Sequence, residues 1–172
     1  MKIALLGKMR SGKDTVAEYG INTYGLYKFA FGDELKRYYH ELFGYSEGKP
    51  REGYQWFGQI TRQREPDIWV RKCFESIENS GLKDIIITDL RQPNEFERCK
   101  KEGFIMVKVH CDDQLRIQRI LEKNDKFDKK DLHHETEMHI DTFEPDYIIE
   151  NNGSLEHLYR QLDEIVKGET MK

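Results

Sequence analysis

The sequence has no long hydrophobic run. Its longest apolar stretches, Ile3–Leu6 and Ile85–Ile87, fall far short of the roughly 20 residues that a membrane-spanning helix needs. No secretory signal is predicted, because Met1-Lys2 leads through four apolar residues straight into a Gly-Lys loop. Cysteine is scarce: Cys73, Cys99 and Cys111 are odd in number and lack CxxC spacing. That argues against a disulfide framework or a zinc knuckle and predicts a reducing, cytoplasmic setting. Positive charge is not in excess either. Lys and Arg number 28 against 32 Asp and Glu, for a net charge of −4, which argues against coating nucleic acid by bulk electrostatics. A small anionic ligand needs only a local cluster of Arg and Lys. There is no internal repeat, low-complexity tract or Ser/Gly-rich linker, so the 172 residues read as one domain with a small insertion.

What is present is enough to build a core. Leu, Ile, Val and Phe make up roughly a quarter of the chain, above the level that marks disorder. Short apolar runs alternate with longer amphipathic ones. Strands are predicted at Lys2–Leu6, Tyr27–Phe31, Asp84–Asp89, Phe104–His110 and Tyr147–Glu150. The three consecutive isoleucines 85–87 fit a strand buried on both faces of a parallel sheet. Helices are predicted at Lys13–Asn22, Asp33–Phe43 with Asp33 as N-cap, Asp67–Asn79, Pro93–Glu102, Asp112–Lys123, and from Ser154 to about Lys167. Residues 44–53, rich in Gly, Lys and Glu and containing Pro50, read as a loop. The pattern predicts an α/β fold, a three-layer sandwich around a five-stranded, mainly parallel sheet. Ligands of such sheets bind at the carboxyl ends of the strands.

The chemistry follows the strands. Gly7-Lys8-Met9-Arg10-Ser11-Gly12-Lys13-Asp14-Thr15 fits G-x-x-x-x-G-K directly after the first strand and before a helix. Glycines let the backbone wrap so that its N–H groups point at phosphate oxygens, and the helix adds its positive end. Lys13 would reach the β and γ phosphates. Asp14 stands where Ser or Thr usually places a hydroxyl on Mg²⁺, so Asp14 is expected to hold the metal, with Thr15 supplying the hydroxyl. This departure points away from GTPases and motor ATPases and toward small-molecule kinases.

Asp89 ends the second long hydrophobic strand, the layout of a carboxylate that orders the metal, and Arg91 follows two residues on. Arg116 and Arg119 share one helix face, either as a clamp on a phosphoryl group in transit or as part of a solvated surface. Residues 31–69 interleave Asp33, Lys36, Arg37, Arg51, Arg62 and Arg64 with Tyr38, Tyr39, Tyr54, Trp56, Phe57 and Trp69. Stacking of a base with its phosphate on arginine is one reading. For most of these aromatics, a place in the core is the better one. The His133–His139 segment lacks H-E-x-x-H spacing and reads as part of a charged lid rather than a zinc site.

These pieces resemble the phage-type deoxynucleoside monophosphate kinases of the P-loop nucleoside-phosphate kinase superfamily. The resemblance rests on GKMRSGKDT at 7–15, FAFGDELK at 29–36, the run from Arg51 to Gln59, REPDIWV at 64–70, TDLRQPNE at 88–95 and DYIIENNGSLEHL at 146–158, in family order. The GKD loop also resembles animal-type phosphomevalonate kinases. The PDIWV and NNGSLE segments favour the nucleotide-kinase side. The resemblance implies a sheet that binds ATP, a helical acceptor subdomain at about 32–80 and a lid at about 112–142. It implies that Gly7, Arg10, Ser11, Gly12, Lys13, Asp14 and Thr15 bind ATP and Mg²⁺, with Asn152 near the adenine. Asp33, Lys36, Arg64 and Trp69 would face the acceptor. Arg91 would serve both acceptor and reaction centre, beside Lys13, Asp89, Arg116 and Arg119.

The expected reaction is transfer of the γ-phosphoryl group of ATP to a nucleoside monophosphate. Such an acceptor is already an anion near neutral pH, so no strong general base is needed. The alternatives are another phosphorylated metabolite such as phosphomevalonate, or a nucleotide-binding protein without turnover. No nucleic-acid or membrane partner is expected.

Overall fold

The computed structural model describes residues 1–45, 48, 50–122 and 139–171. Five strands form one sheet: β1 (Lys2–Leu6), β2 (Tyr27–Phe29), β3 (Ile85–Leu90), β4 (Ile105–His110) and β5 (Tyr147–Glu150). The order is β2-β3-β1-β4-β5 and every neighbouring pair is parallel. Seven helices are described: α1 (Lys13–Tyr24), α2 (Phe31–Phe43), α3 (Arg51–Arg64), α4 (Ile68–Ser80), α5 (Pro93–Lys101), α6 (Asp113–Glu122) and α7 (Leu155–Thr170). A 3₁₀ turn, His139–Thr142, precedes β5.

The alternation of side chains across β1 and β3 builds the layers. Ala4, Leu6, Ile85 and Ile87 pack with Val70, Cys73 and Phe74 of α4 and with Phe96 and Cys99 of α5. Ile3, Leu5 and Ile86 turn the other way, onto Val16 and Ala17 of α1 and Leu158 and Leu162 of α7. Each of the three isoleucines is fully buried, as a strand covered on both faces requires.

A third, smaller core joins α2, α3 and α4. Leu35, Phe57 and Trp69 form its centre, with Tyr38, Tyr39, Tyr54 and Ile68 against them. This three-helix unit lies in the segment expected to hold the acceptor, and its structure corrects two expectations. The predicted loop over 44–53 gives way at Arg51 to α3, a helix of 14 residues. Its two internal glycines disguise it, because they serve packing rather than a turn. A Cβ at Gly53 would lie 2.2 Å from the Tyr39 hydroxyl, and one at Gly58 would lie 2.7 Å from Leu35 Cδ1. Their absence lets α3 sit close on α2.

The second correction concerns the start of α2. The strand expected to reach Phe31 ends at Phe29, and the helix begins at Phe31 with Ala30 as its N-cap residue. Alanine has no side chain to cap with. Asp89, reaching across from the end of β3, accepts the N–H groups of Phe31 at 2.8 Å and Gly32 at 2.9 Å. Asp33 is not the cap; it pairs with Lys36 at 2.9 Å.

The segment 123–138 lies outside the described residues, and with it most of the expected lid, including His133 and His134. Among the described residues, no helix is long and apolar enough to cross a membrane, and no group of three or more His, Cys, Asp or Glu could hold a metal ion.

Candidate active site

The loop from Gly7 to Gly12 runs from β1 into α1 at the carboxyl edge of the sheet. Gly7 and Gly12 have φ of 152° and 103°, and Arg10 has φ of 61°. Among the described residues Arg10 alone takes a positive φ without being glycine, a conformation that costs free energy and clusters at functional sites. Gly7 is needed for close approach: a Cβ there would lie 2.4 Å from the Val109 carbonyl oxygen of β4. At Gly12 a Cβ would lie 2.0 Å from Asn151 Nδ2. Lys13 is only 8% exposed and folds back into the loop, where its ammonium donates to the carbonyl oxygens of Gly7 and, at 3.0 Å, of Lys8. The Ser11 hydroxyl is buried without a hydrogen-bond partner among the described residues, although a hydroxyl can both donate and accept. This cradle of inward donors fits a polyphosphate.

Asp14 lies exposed in the first turn of α1 and forms no hydrogen bond or ion pair among the described residues; Thr15 beside it is half-buried. A bare carboxylate at the mouth of a phosphate site fits a divalent cation held between the two negative groups. Asp89 has both oxygens engaged by α2, each with a further lone pair. Burial pushes its carboxyl up, against the pull of the two backbone N–H groups and of Arg91.

A second carboxylate sits behind Asp89. Glu95 is buried, and Oε2 accepts the N–H groups of Arg91 at 2.8 Å and Gln92 at 2.9 Å, closing the entry to α5. Burial and then the Asp89 charge push its carboxyl up to about 7. Arg62 of α3 bears on the Glu95 charge. Its guanidinium is half-buried and forms no hydrogen bond or ion pair among the described residues. Burial pulls it below the ordinary arginine value, offset by Glu95.

The structure brings Asp33, Lys36, Asp89 and Arg91 together: a Cβ on Gly32 would lie 3.2 Å from Asp89 Oδ2 and 3.8 Å from Lys36 Nζ, and Asp33 and Arg91 both bear on the Asp89 charge. It adds Arg62, which sequence reasoning passed over for Arg64. Arg64 is exposed at the end of α3 and bonds to nothing among the described residues. The missed signal was spacing. Arg62 follows Gly58 by one turn, on the face that meets α2, and its Nη1 lies 3.1 Å from where a Gly58 Cβ would be. Trp69 is 3% exposed and gives its indole N–H to Thr61 at 3.1 Å, so it belongs to the subdomain core rather than to the pocket wall.

Helix α6 grips the loop from outside. Arg116, 4% exposed, donates from Nε to the Met9 carbonyl at 2.9 Å and from Nη1 to Asp113 at 2.6 Å. Arg119 donates to the Asn151 carbonyl at 3.1 Å and to Cys111 Sγ at 3.2 Å. Asn152 does not enter the cleft with its amide: it donates to the Asp112 carboxylate at 3.0 Å and accepts the Asp112 N–H at 2.9 Å, fixing the root of α6. No thiol competes as a nucleophile, since burial pushes Cys73 and Cys99 well above the usual range.

A glycine-walled phosphate loop leading from the first strand into the first helix of an all-parallel sheet defines a P-loop, kinase-like α/β fold. Several solved structures are similar over nearly the whole chain. TT1252 from Thermus thermophilus matches 98% of this chain and 97% of its own at 18% identity and a TM-score of 0.62. A shikimate kinase from Aquifex aeolicus matches 99% of both chains at 18% identity and 0.55. A gluconokinase from Sinorhizobium meliloti matches 99% of this chain and 95% of its own at 15% identity and 0.57. A comparison with curated proteins finds no match. The family model AAA_18, described as an AAA domain, matches residues 3–162, and the chain belongs to that family.

Proposed function

We propose that the protein is an ATP-dependent phosphotransferase whose acceptor is an anionic small molecule, a nucleoside or deoxynucleoside monophosphate. One observation carries the reading: Arg62 presents a half-buried guanidinium, without an ion pair among the described residues, near the Glu95 carboxylate at the entry to α5. A desolvated cation is costly unless something pairs with it, and an acceptor phosphate supplies that charge.

The carboxylates favour the same acceptor. A hydroxyl acceptor needs a base to take its proton, but Asp33 pairs with Lys36, Asp89 caps α2 and Glu95 closes the turn into α5. An acceptor whose attacking oxygen is already ionised needs none of them as a base. Catalysis then consists of alignment and charge neutralisation. In this reading the loop N–H groups and Ser11 bind the phosphates of ATP, and Lys13 exchanges its loop carbonyls for phosphate oxygens. Arg62, Lys36 and Arg91 hold the acceptor, and Arg91 and Arg119 balance charge on the group in transit. Asp14, with Thr15 and Asp89, would hold Mg²⁺, which supplies neutralisation of the phosphate oxygens.

The test is ADP release from Mg·ATP across ribo- and deoxyribonucleoside monophosphates, phosphomevalonate, shikimate and gluconate, with Lys13→Ala alongside. Turnover of a subset of nucleotides, lost in the variant, is expected. Turnover only of phosphomevalonate moves the acceptor to another phosphorylated metabolite. Turnover of shikimate or gluconate alone, the class of acceptor named for the similar kinases, contradicts the reading.

A further inference from the structure

We propose that Asn151 and Arg116 are positioning residues that set the peptide orientation of the phosphate loop from behind. The inference rests on reading that loop as the nucleotide site, and not on which acceptor is used.

Both residues act on carbonyls. Asn151, buried just past the end of β5, donates from Nδ2 to the Ser11 carbonyl oxygen at 2.7 Å. Arg116 donates from Nε to the Met9 carbonyl oxygen at 2.9 Å. In a planar trans peptide the C=O of one residue and the N–H of the next point in opposite directions. Holding the Met9 carbonyl outward therefore turns the Arg10 N–H inward, and holding the Ser11 carbonyl outward does the same for the Gly12 N–H. The two residues whose N–H groups are so aimed, Arg10 and Gly12, are those with φ of 61° and 103°. The brace is what over-determines these backbone conformations, which a free loop would leave.

Asn151 is itself anchored on three sides. Its backbone N–H donates to the His110 carbonyl at 2.8 Å, extending the pairing of β4 with β5. Its carbonyl accepts Arg119 Nη2 at 3.1 Å, and its amide reaches Ser11. The contact also explains the second glycine of the motif, since any Cβ at Gly12 would lie on the Asn151 amide nitrogen. Arg116 is likewise committed. It is 4% exposed, with Asp113 balancing its charge at 2.6 Å. Its geometry is that of a strut under the loop rather than of a side chain reaching into the cleft.

The experiment measures Mg·ADP binding by calorimetry, which needs no acceptor and no turnover, with thermal melting and both Michaelis constants. The variants are Asn151→Ala, the isosteric Asn151→Asp and Arg116→Lys. Asn151→Ala is expected to weaken Mg·ADP about tenfold, or ~1.4 kcal/mol, with acceptor KM unchanged within about twofold. Asn151→Asp is expected to weaken it further, because a carboxylate oxygen would face the Ser11 carbonyl. Arg116→Lys keeps the charge but loses the Nε donor, and is expected to weaken Mg·ADP rather than lower kcat alone. Unchanged Mg·ADP affinity in folded Asn151 variants overturns the proposal, as does an Arg116→Lys effect confined to kcat. Failure of all three to fold also overturns it, because the residues would then be structural only. If the wild type binds Mg·ADP yet phosphorylates no anionic acceptor, the proposed function fails while the brace still stands or falls by these affinities.

Discussion

The carboxylate of Asp89 accepts the backbone N–H of Gly32 at 2.9 Å, so the end of β3 also caps α2, the helix that opens the α2–α4 subdomain. Sheet and subdomain are joined at that bond and at the neighbouring one to Phe31. Asp89→Ala removes the acceptor for both N–H groups, with no side chain at Ala30 to replace it. The expected loss is about 2 kcal/mol of stability, the scale of a lost helix cap with buried donors left unpaired. Asp89→Asn retains one carbonyl oxygen and is expected to lose about half as much. Urea unfolding of the three proteins checks the order.

Glu95 makes stability depend on pH. Its carboxyl rises from an ordinary 4.5 to about 7 on folding, through burial and then the Asp89 charge. The native state therefore holds a proton that the unfolded chain has released between those values. This contribution is complete below about pH 4.5 and is lost as pH rises through 7, an effect on the order of 3 kcal/mol. Glu95→Gln keeps an acceptor for the Arg91 and Gln92 N–H groups and does not titrate. Unfolding at pH 5 and pH 8 without divalent ions is expected to show a flatter profile in the variant; equal slopes would contradict it.

Gly58 tests the packing of the α2–α4 subdomain. Alanine there gains about 1 kcal/mol of helix propensity. Its methyl group, however, would lie 2.7 Å from Leu35 Cδ1 and 3.1 Å from Arg62 Nη1. Leu35 is buried and cannot yield freely. The expected net result of Gly58→Ala is a loss of about 1 kcal/mol together with a raised acceptor KM, since Arg62 must move. A stabilised variant with unchanged kinetics would contradict the packing argument.

Arg62 and Arg64 lie one residue apart on α3 and differ in what they face. Arg62→Ala is expected to raise acceptor KM at least tenfold, the cost of one lost charge-assisted pair, and to leave ATP KM within about twofold. Arg64→Ala is expected to change neither by more than about twofold. The reverse pattern in steady-state kinetics would return the acceptor contact to Arg64.

What could be read from the sequence was what is encoded locally. The buried strands Lys2–Leu6 and Ile85–Leu90 announce themselves by unbroken apolar runs, and the phosphate loop by its glycine and lysine spacing. Helix α3 was hidden, because Gly53 and Gly58 are there to fit Tyr39 and Leu35, residues close in space but not in sequence. For the same reason Asp33 looks locally like the cap of α2, whereas Asp89, 58 residues from Phe31, provides it. Arg62 could not be separated from Arg64 without knowing which face of α3 meets α2. Asn151 carries no motif of its own, since its partner in the loop is 140 residues away.

In the proposed reaction the phosphoryl group passes to an anionic oxygen of the acceptor, without a protein base. Phosphorus NMR of the product formed from Mg·ATP and the best acceptor tests it most directly. The expected spectrum shows the coupled resonances of a new P–O–P anhydride on the acceptor, with ADP released in equal amount. A single uncoupled phosphate-ester resonance would contradict it, because a hydroxyl would then have been the nucleophile and one of the three committed carboxylates its base.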